Sequence, residues 1–303
     1  MIRILGTIFA GLLGLAFGSF LNVCLTRWPQ GESIVTPRSH CRNCDHKLAW
    51  WENIPLLSWL LLRGRCRNCH TWIGWRYPLV EAAVAAVWAL QVWQSLSGLE
   101  GNSPVQYFNA LTGPYVVVTA FGWATFLWFL PALAVLDAEH LWLPDWLTLP
   151  GILLGFICAV LETRVAYGLT SWFPTPPPLA TELVNSALHR LYSILAAAAL
   201  ILLIRWLYKL IRHREGIGLG DAKLMALLAA WLGLPGALLS FAIGVVLGAV
   251  IAMVLLLTPS SKTDSHDWSV RKLPLGTFLC IGGIISSLWG QPIIAAYLRW
   301  AGF

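Results

Sequence analysis

The sequence predicts an all-α, polytopic membrane protein of about eight transmembrane helices, with a small zinc-binding cytoplasmic domain between the first two. Three observations carry that expectation. Only 11% of the 303 residues are charged while 58% are hydrophobic, and mean hydropathy is +0.70. Soluble domains carry about 25% charged residues, so lipid is the natural solvent for this surface. Residues 224–261 contain no Asp, Glu, Lys or Arg, and a span needs about 20 mostly apolar residues. Finally, four of the seven cysteines crowd into one polar segment, as Cys41, Cys44, Cys66 and Cys69.

The helices follow from apolar runs at residues 4–26, 78–97, 115–136, 146–162, 186–210, 220–234, 236–257 and 275–298. The sixth is short for a span at about 1.5 Å per residue, and is either tilted or joined to the seventh through a turn at Pro235. These runs divide the chain into a first transmembrane helix (1–26), a four-Cys segment (27–77) and a membrane domain of about seven helices (78–303). The Trp172-to-Pro178 stretch, with four prolines, reads as a stiff extended loop.

Basic residues set the orientation. The 27–77 gap is dense in Lys and Arg, whereas the 98–114 gap has none. Arg205, Lys209, Arg212 and Arg214 flank the gap before the sixth run, and Lys262, Arg271 and Lys272 precede the eighth. With eight spans these gaps share one side, and the positive-inside rule makes that side cytoplasmic. The net charge of +6 is spread over these gaps without forming one face, which excludes a nucleic-acid-binding reading. Arg3 and the small residues near Gly18 resemble a signal peptide, but cleavage would export the strongly basic 27–77 segment. An uncleaved first span is expected.

The polar segment repeats Cys-Arg-Asn-Cys at Cys41 to Cys44 and at Cys66 to Cys69, with 21 residues between Cys44 and Cys66. Paired Cys-x-x-Cys motifs at such a separation point to zinc. Four thiolates close a tetrahedral shell, which makes the expected site structural. His40, His46 and His70 are adjacent alternatives as ligands, and disulfides are disfavoured in the cytoplasm. Cys24, Cys158 and Cys280 lie in apolar runs, where a thiol behaves as a small hydrophobe.

Asp137 directly follows the third apolar run, and Asp221 opens the sixth within Gly218-Leu219-Gly220-Asp221. On the orientation above, both lie at the cytoplasmic membrane edge on different helices. Two carboxyls that share one proton can hydrolyse a peptide bond, the ionised one activating water and the protonated one polarising the carbonyl. Glycines beside Asp221 permit close approach of a substrate backbone. On spacing alone, helix capping by Asp221 and an ordinary loop role for Asp137 and Asp145 stay open.

Taken together, the motifs resemble the type IV prepilin peptidase family, the Gly-x-Gly-Asp membrane aspartyl proteases. They are Gly18-Ser19-Phe20-Leu21-Asn22-Val23, the Cys pairs, Glu52-Asn53-Ile54-Pro55-Leu56-Leu57-Ser58-Trp59, Arg76-Tyr77-Pro78, Leu143-Pro144-Asp145 and Gly218-to-Leu224. The resemblance implies catalytic aspartates at Asp137 and Asp221, with Gly218, Gly220, Asp145 and Lys223 as a supporting motif. It implies prepilin or pseudopilin substrates, cut after a glycine that ends a basic leader, at the bacterial inner membrane. It further implies N-methylation of the new amino terminus with S-adenosylmethionine, for which no binding residue is assigned. Three departures stand out: no proline inside the first Cys pair, Ile217 for methionine, and Pro274-Leu275-Gly276-Thr277 where the family has Pro-Phe-Gly-Pro. The chief rival is a non-catalytic zinc-containing membrane scaffold of a secretion or pilus system. A transporter is a second, and would need ionisable groups at mid-depth.

Overall fold

The computed structural model describes residues 1–97, 114–170, 178–213, 218–257 and 273–302. The basic residues Arg214, Lys262, Arg271 and Lys272, Ile217, and most of the proline-rich stretch lie outside them. The helices are α1 (Ile2–Arg27), the short α2 (Leu57–Leu61), α3 (Arg76–Ser97), α4 (Pro114–His140), α5 (Asp145–Thr170), α6 (Leu179–Arg212), α7 (Leu219–Leu257) and α8 (Leu275–Trp300). No sheet forms among the described residues, only isolated bridges at His40 with Lys47 and at Arg65 with Trp72. Seven of these helices are long and apolar enough to cross a membrane. The protein is therefore all-α and polytopic, and the chain divides into two compact units, Met1–Phe108 and Asn109–Phe303.

In the first unit α1 packs on α3 through glycines. A Cβ on Gly14 would lie 2.7 Å from Ala85 Cα, and one on Gly18 2.7 Å from Glu81 Cα. Glycines four residues apart let two helix backbones touch. The segment between these helices is held by little apolar matter beyond Trp59, Trp72 and Trp75, whose ring centroids lie 4.4–5.8 Å apart. Gly64, at φ 67°, turns the chain beneath them, where a Cβ would sit 2.7 Å from Trp72. Trp59 Nε1 donates to Ile73 O at 3.1 Å.

The sixth and seventh apolar runs form one element, α7, broken at Gly233 (φ 71°, ψ 177°) next to Pro235. Contacts along α8 show that the chain reverses there. Ser286 Oγ donates to Gly236 O at 2.9 Å. Further toward the start of α8, Gly282 abuts Ser240, Gly244 abuts Leu279, and Phe278 abuts Gly248. The first arm descends beside the same helix: Leu228 lies against Gly283, and Leu143 packs on both Gly220 and Gly276. The two arms are thus antiparallel, and α7 supplies two crossings, giving eight among the described residues. The first arm, residues 219–232, is about 21 Å long, shorter than the roughly 30 Å hydrocarbon core. Backbone carbonyls freed in lipid need partners, and Arg190 Nη1 approaches Ala229 O at 3.5 Å beside the break.

Two boundaries differ from the apolar runs. Helix α5 continues to Thr170 and α6 begins at Leu179, so the proline-rich loop is shorter than hydropathy suggests. Backbone hydrogen bonding carries both helices past the apolar edge, and Pro178 caps α6.

Candidate active site

At one end of the second unit's bundle stand Asp137, Asp145, Asp221 and Lys223. Asp137 occupies the last turn of α4, and its carbonyl accepts the Leu141 N–H at 2.9 Å. Leu141 is left-handed, with φ 51°, which ends the helix as a glycine commonly does. The Asp137 side chain points inward and is 6% exposed. Its Oδ2 accepts the Thr277 backbone N–H at 2.7 Å. The Thr277 hydroxyl lies 3.3 Å from the same oxygen but donates over 2.9 Å to Ala134 O. One hydroxyl hydrogen serves one acceptor at a time, so the backbone N–H is the principal donor to Asp137.

Asp221 is in the first turn of α7, and its Oδ2 accepts the Gly218 N–H at 3.1 Å. This is the reach-back of an acid at the third helical position to the capping residue, so the capping geometry is present and the other carboxyl oxygen takes no part in it. Asp137 and Asp221 act electrostatically on each other, and both act on Cys280 of α8. Leu143, from the α4–α5 turn, wedges between the two acidic segments by touching Gly220 and Gly276. Lys223 Nζ lies 2.5 Å from Asp145 Oδ1 and ties the start of α7 to the start of α5. This pair is 35% and 59% exposed, and exposed ion pairs contribute about 0–1 kcal/mol. Lys223→Ala is accordingly expected to shift Tm by no more than about 3 °C for a chain of this size, measured by thermal unfolding in detergent.

Hydropathy and spacing gave no sign that Gly276 and Thr277 meet Asp137. The only hint was Thr277 standing where the Pro-Phe-Gly-Pro pattern ends in proline, and that departure now has chemical content. A proline at 277 has no N–H and could not make the 2.7 Å bond to Asp137. Gly276 is equally constrained, since a Cβ there would lie 2.8 Å from Asp137 Oδ2. Gly276→Ala should leave α8 helical, because alanine is the better helix former, while displacing the carboxyl. If peptide hydrolysis depends on Asp137, displacement approaching 1 Å lowers its rate on the order of 100-fold. Initial rates against a leader peptide, alongside circular dichroism, check this.

The first unit holds the cysteines. Cys41, Cys44, Cys66 and Cys69 place their four sulfurs within 4.8 Å of one another. The cross-pair distances Cys41–Cys69 and Cys44–Cys66 are 3.7 and 3.9 Å. A tetrahedron with bonds of about 2.3 Å has edges of about 3.8 Å, so the thiols fit a zinc-sized ion. The two loops share one backbone design. Cys41 N–H donates to His46 O and Asp45 N–H to Cys41 O, each over 2.9 Å; Cys66 N–H donates to Thr71 O and His70 N–H to Cys66 O, each over 3.0 Å. Asp45 and His70 take the same left-handed turn, at φ 53° and 55°. Each loop also sends its Asn across: Asn43 Nδ2 donates to Thr71 Oγ1 at 2.9 Å, and Asn68 Nδ2 to Cys44 Sγ at 3.6 Å. Hydrogen bonds from Thr71 bring the Cys69 thiol down to about 5, while burial pushes Cys41 up to about 11. None of the three nearby histidines joins the cluster; His40 Nδ1 lies 3.0 Å from Arg38 O, and His46 Nε2 3.4 Å from Glu52.

Fold and site define the class: a polytopic membrane protein with two carboxyl groups at one end of a helix bundle and a four-thiol cluster in its other unit. Comparison with known proteins specifies it further. Residues 12–95 match the family model of the bacterial peptidase A24 N-terminal domain, and residues 124–253 match that of the type IV leader peptidase family. Three relatives are each called prepilin leader peptidase/N-methyltransferase. That of Stutzerimonas stutzeri is 31% identical over 96% of this chain and 93% of its own. That of Pseudomonas aeruginosa is 31% identical over the same shares, and that of Pseudomonas putida 32% identical over 97% and 94%. No solved structure matches. The chain belongs to the type IV leader peptidase family.

Proposed function

We propose that this protein is a membrane aspartyl endopeptidase that removes the basic leader of prepilins or pseudopilins after a glycine, and N-methylates the new amino terminus. The observation that carries the reading is the gathering of Asp137 and Asp221, 84 residues apart in the chain, at one end of the bundle around Leu143. Two adjacent carboxyls cannot both ionise easily, and the pair holds one proton between them. The ionised carboxyl takes a proton from water as the water attacks the scissile carbonyl carbon, while the other carboxyl donates to the carbonyl oxygen. Collapse of the tetrahedral species breaks the C–N bond, and the amine leaves with a proton from the pair. Gly218 leaves room for an extended substrate backbone, Gly220 lets Leu143 pack close, and Lys223 with Asp145 positions the start of α7.

The substrate chemistry suits this arrangement. A basic leader stays at the membrane face, and the apolar helix beyond the cut lies in lipid. With eight crossings the Lys- and Arg-rich gaps of the sequence and the two aspartates fall on one side, and the positive-inside rule supports reading it as the cytoplasmic face of the bacterial inner membrane. The four cysteines would hold a structural Zn²⁺, which keeps its coordinating thiols deprotonated.

Incubation of purified protein in detergent with a prepilin, followed by mass analysis, tests the reading. The expected products are a leader ending in glycine and a mature chain that gains about 14 Da when S-adenosylmethionine is supplied. An intact prepilin would instead support the scaffold alternative.

A further inference from the structure

Helix α2 belongs to the cysteine-bearing segment and is too short to span a membrane, yet three of its five residues are leucines turned outward. Leu57, Leu60 and Leu61 are 56%, 62% and 78% exposed, and spacing of three and four residues puts them on one face. The other side of the turn is occupied: Trp59 meets Trp72 and Trp75 and donates to Ile73 O. Trp72 and Trp75 are themselves exposed, and Trp72 extends the apolar surface from Leu61. Single exposed leucines are ordinary, whereas a contiguous apolar patch marks an interaction surface.

Two contacts fix the height of this face along the spanning helices. Arg76 Nη2 donates to Thr26 Oγ1 at 2.7 Å, which holds the end of α1 and the start of α3 at one level. Trp75 and Tyr77 stand on either side of Arg76, and aromatic and basic residues gather in this way where a span leaves lipid. The Leu56 N–H, at the start of α2, donates to Glu81 Oε2 at 2.8 Å. Glu81 lies five residues into α3 from Arg76, about 7.5 Å along the axis, on the lipid side of that level. The leucine face is therefore fastened to the spans at the height of the headgroup layer.

Beside the leucines runs a groove of about 540 Å³, lined by Leu61, Leu62, Trp72, Arg63, Arg65 and Arg67. Left-handed turns at Arg63 (φ 52°) and Gly64 (φ 67°) reverse the chain directly after the leucines, so cations follow the apolar side chains at once. All three arginines are exposed. Arg67 lies over the Trp51 ring, and among the described residues Arg63 and Arg65 have no ionic partner. Leucine and tryptophan bordered by arginine is the pattern of an interfacial surface, and clustered cations there attract anionic headgroups. We propose that the face of α2 lies in the headgroup layer and that the groove takes an anionic phospholipid, its phosphate at the three arginines and an acyl chain along Leu61 and Trp72. The cysteine-bearing segment is then docked on the leaflet as well as tethered by α1 and α3.

The test uses the full-length, zinc-loaded protein in phosphatidylcholine nanodiscs containing a trace of photoactivatable phosphatidylglycerol or phosphatidylcholine. Helices α5 and α6, with their exposed leucines, take label from both lipids and serve as the internal standard. Against that standard, peptides covering residues 57–65 should be labelled in the wild type, with phosphatidylglycerol favoured at least about fivefold. Arg63→Gln, three residues from the nearest cysteine, should lower that preference about fivefold. Leu60→Gln/Leu61→Gln should remove the label from 57–65, and zinc content should be unchanged in both variants. Wild-type protein labelled in α5 and α6 but not at 57–65 places the face in water and overturns the proposal. Equal labelling by the two lipids, or full preference in Arg63→Gln, overturns the assignment of the groove to an anionic headgroup. Hydrogen-exchange protection of 57–62 in lipid-free detergent that grows with protein concentration identifies a second copy of the chain as the occupant, and overturns it too. None of these readouts depends on leader cleavage.

Discussion

Asp137→Asn and Asp221→Asn should each lower leader cleavage by at least about 1,000-fold, within the range that positioned acid–base groups contribute. Asparagine preserves size and keeps an oxygen for the hydrogen bonds from Thr277 and Gly218, so the helices should stay in place. It removes the exchangeable proton and the charge that the pair must share. Because neither carboxyl can complete the proton transfers alone, the double variant should be no slower than the slower single one, as for other residues that act as a unit. Single-turnover cleavage, with circular dichroism and zinc content as folding controls, measures this. Near wild-type rates from either single variant would remove the pair from the mechanism. Multiplying losses in the double variant would show two independent roles instead of one dyad.

Removal of the metal should have the largest effect on stability, confined to the first unit. The segment between α1 and α3 has three clustered tryptophans and short helical turns, but no extended apolar core of its own. Structural zinc sites contribute about 10–16 kcal/mol of folding free energy in small domains, which exceeds the total stability of many domains. Cys41→Ser/Cys44→Ser, or a strong chelator, should therefore release one zinc ion per chain and expose residues 30–75 to protease. Helices α4–α8 carry their own buried apolar contacts through Leu130, Leu133, Leu224, Leu228 and Leu279 and should stay protected. Unchanged metal content in the variant would dismiss the site.

Several features were legible in the residues because each depends on a short stretch of chain. Lipid-crossing helices follow from windows of about 20 residues, and the paired cysteines from four residues and one interval. The position of Asp137 and Asp221 at helix ends was equally readable, since each adjoins an uncharged run. Less could be read where distant segments meet. The break at Gly233 left two readings, a tilted short span or a turn, and only the packing of both arms along α8 decided for reversal. Thr277 is 140 residues from Asp137, and no local pattern sets that register.

By itself, then, the sequence determined the solvent of this protein, the number and approximate limits of its helices, and a set of thiols able to hold a metal. These are properties of how residues partition between water and lipid and of local ligand spacing. The tertiary structure decided which carboxyls share one end of the bundle and which backbone N–H holds Asp137. Such facts depend on helix register and on close approach at Gly18, Gly276 and Gly282, where a few tenths of an ångström separate contact from collision. Packing at that precision is a collective property of the whole fold, and no window of residues contains it.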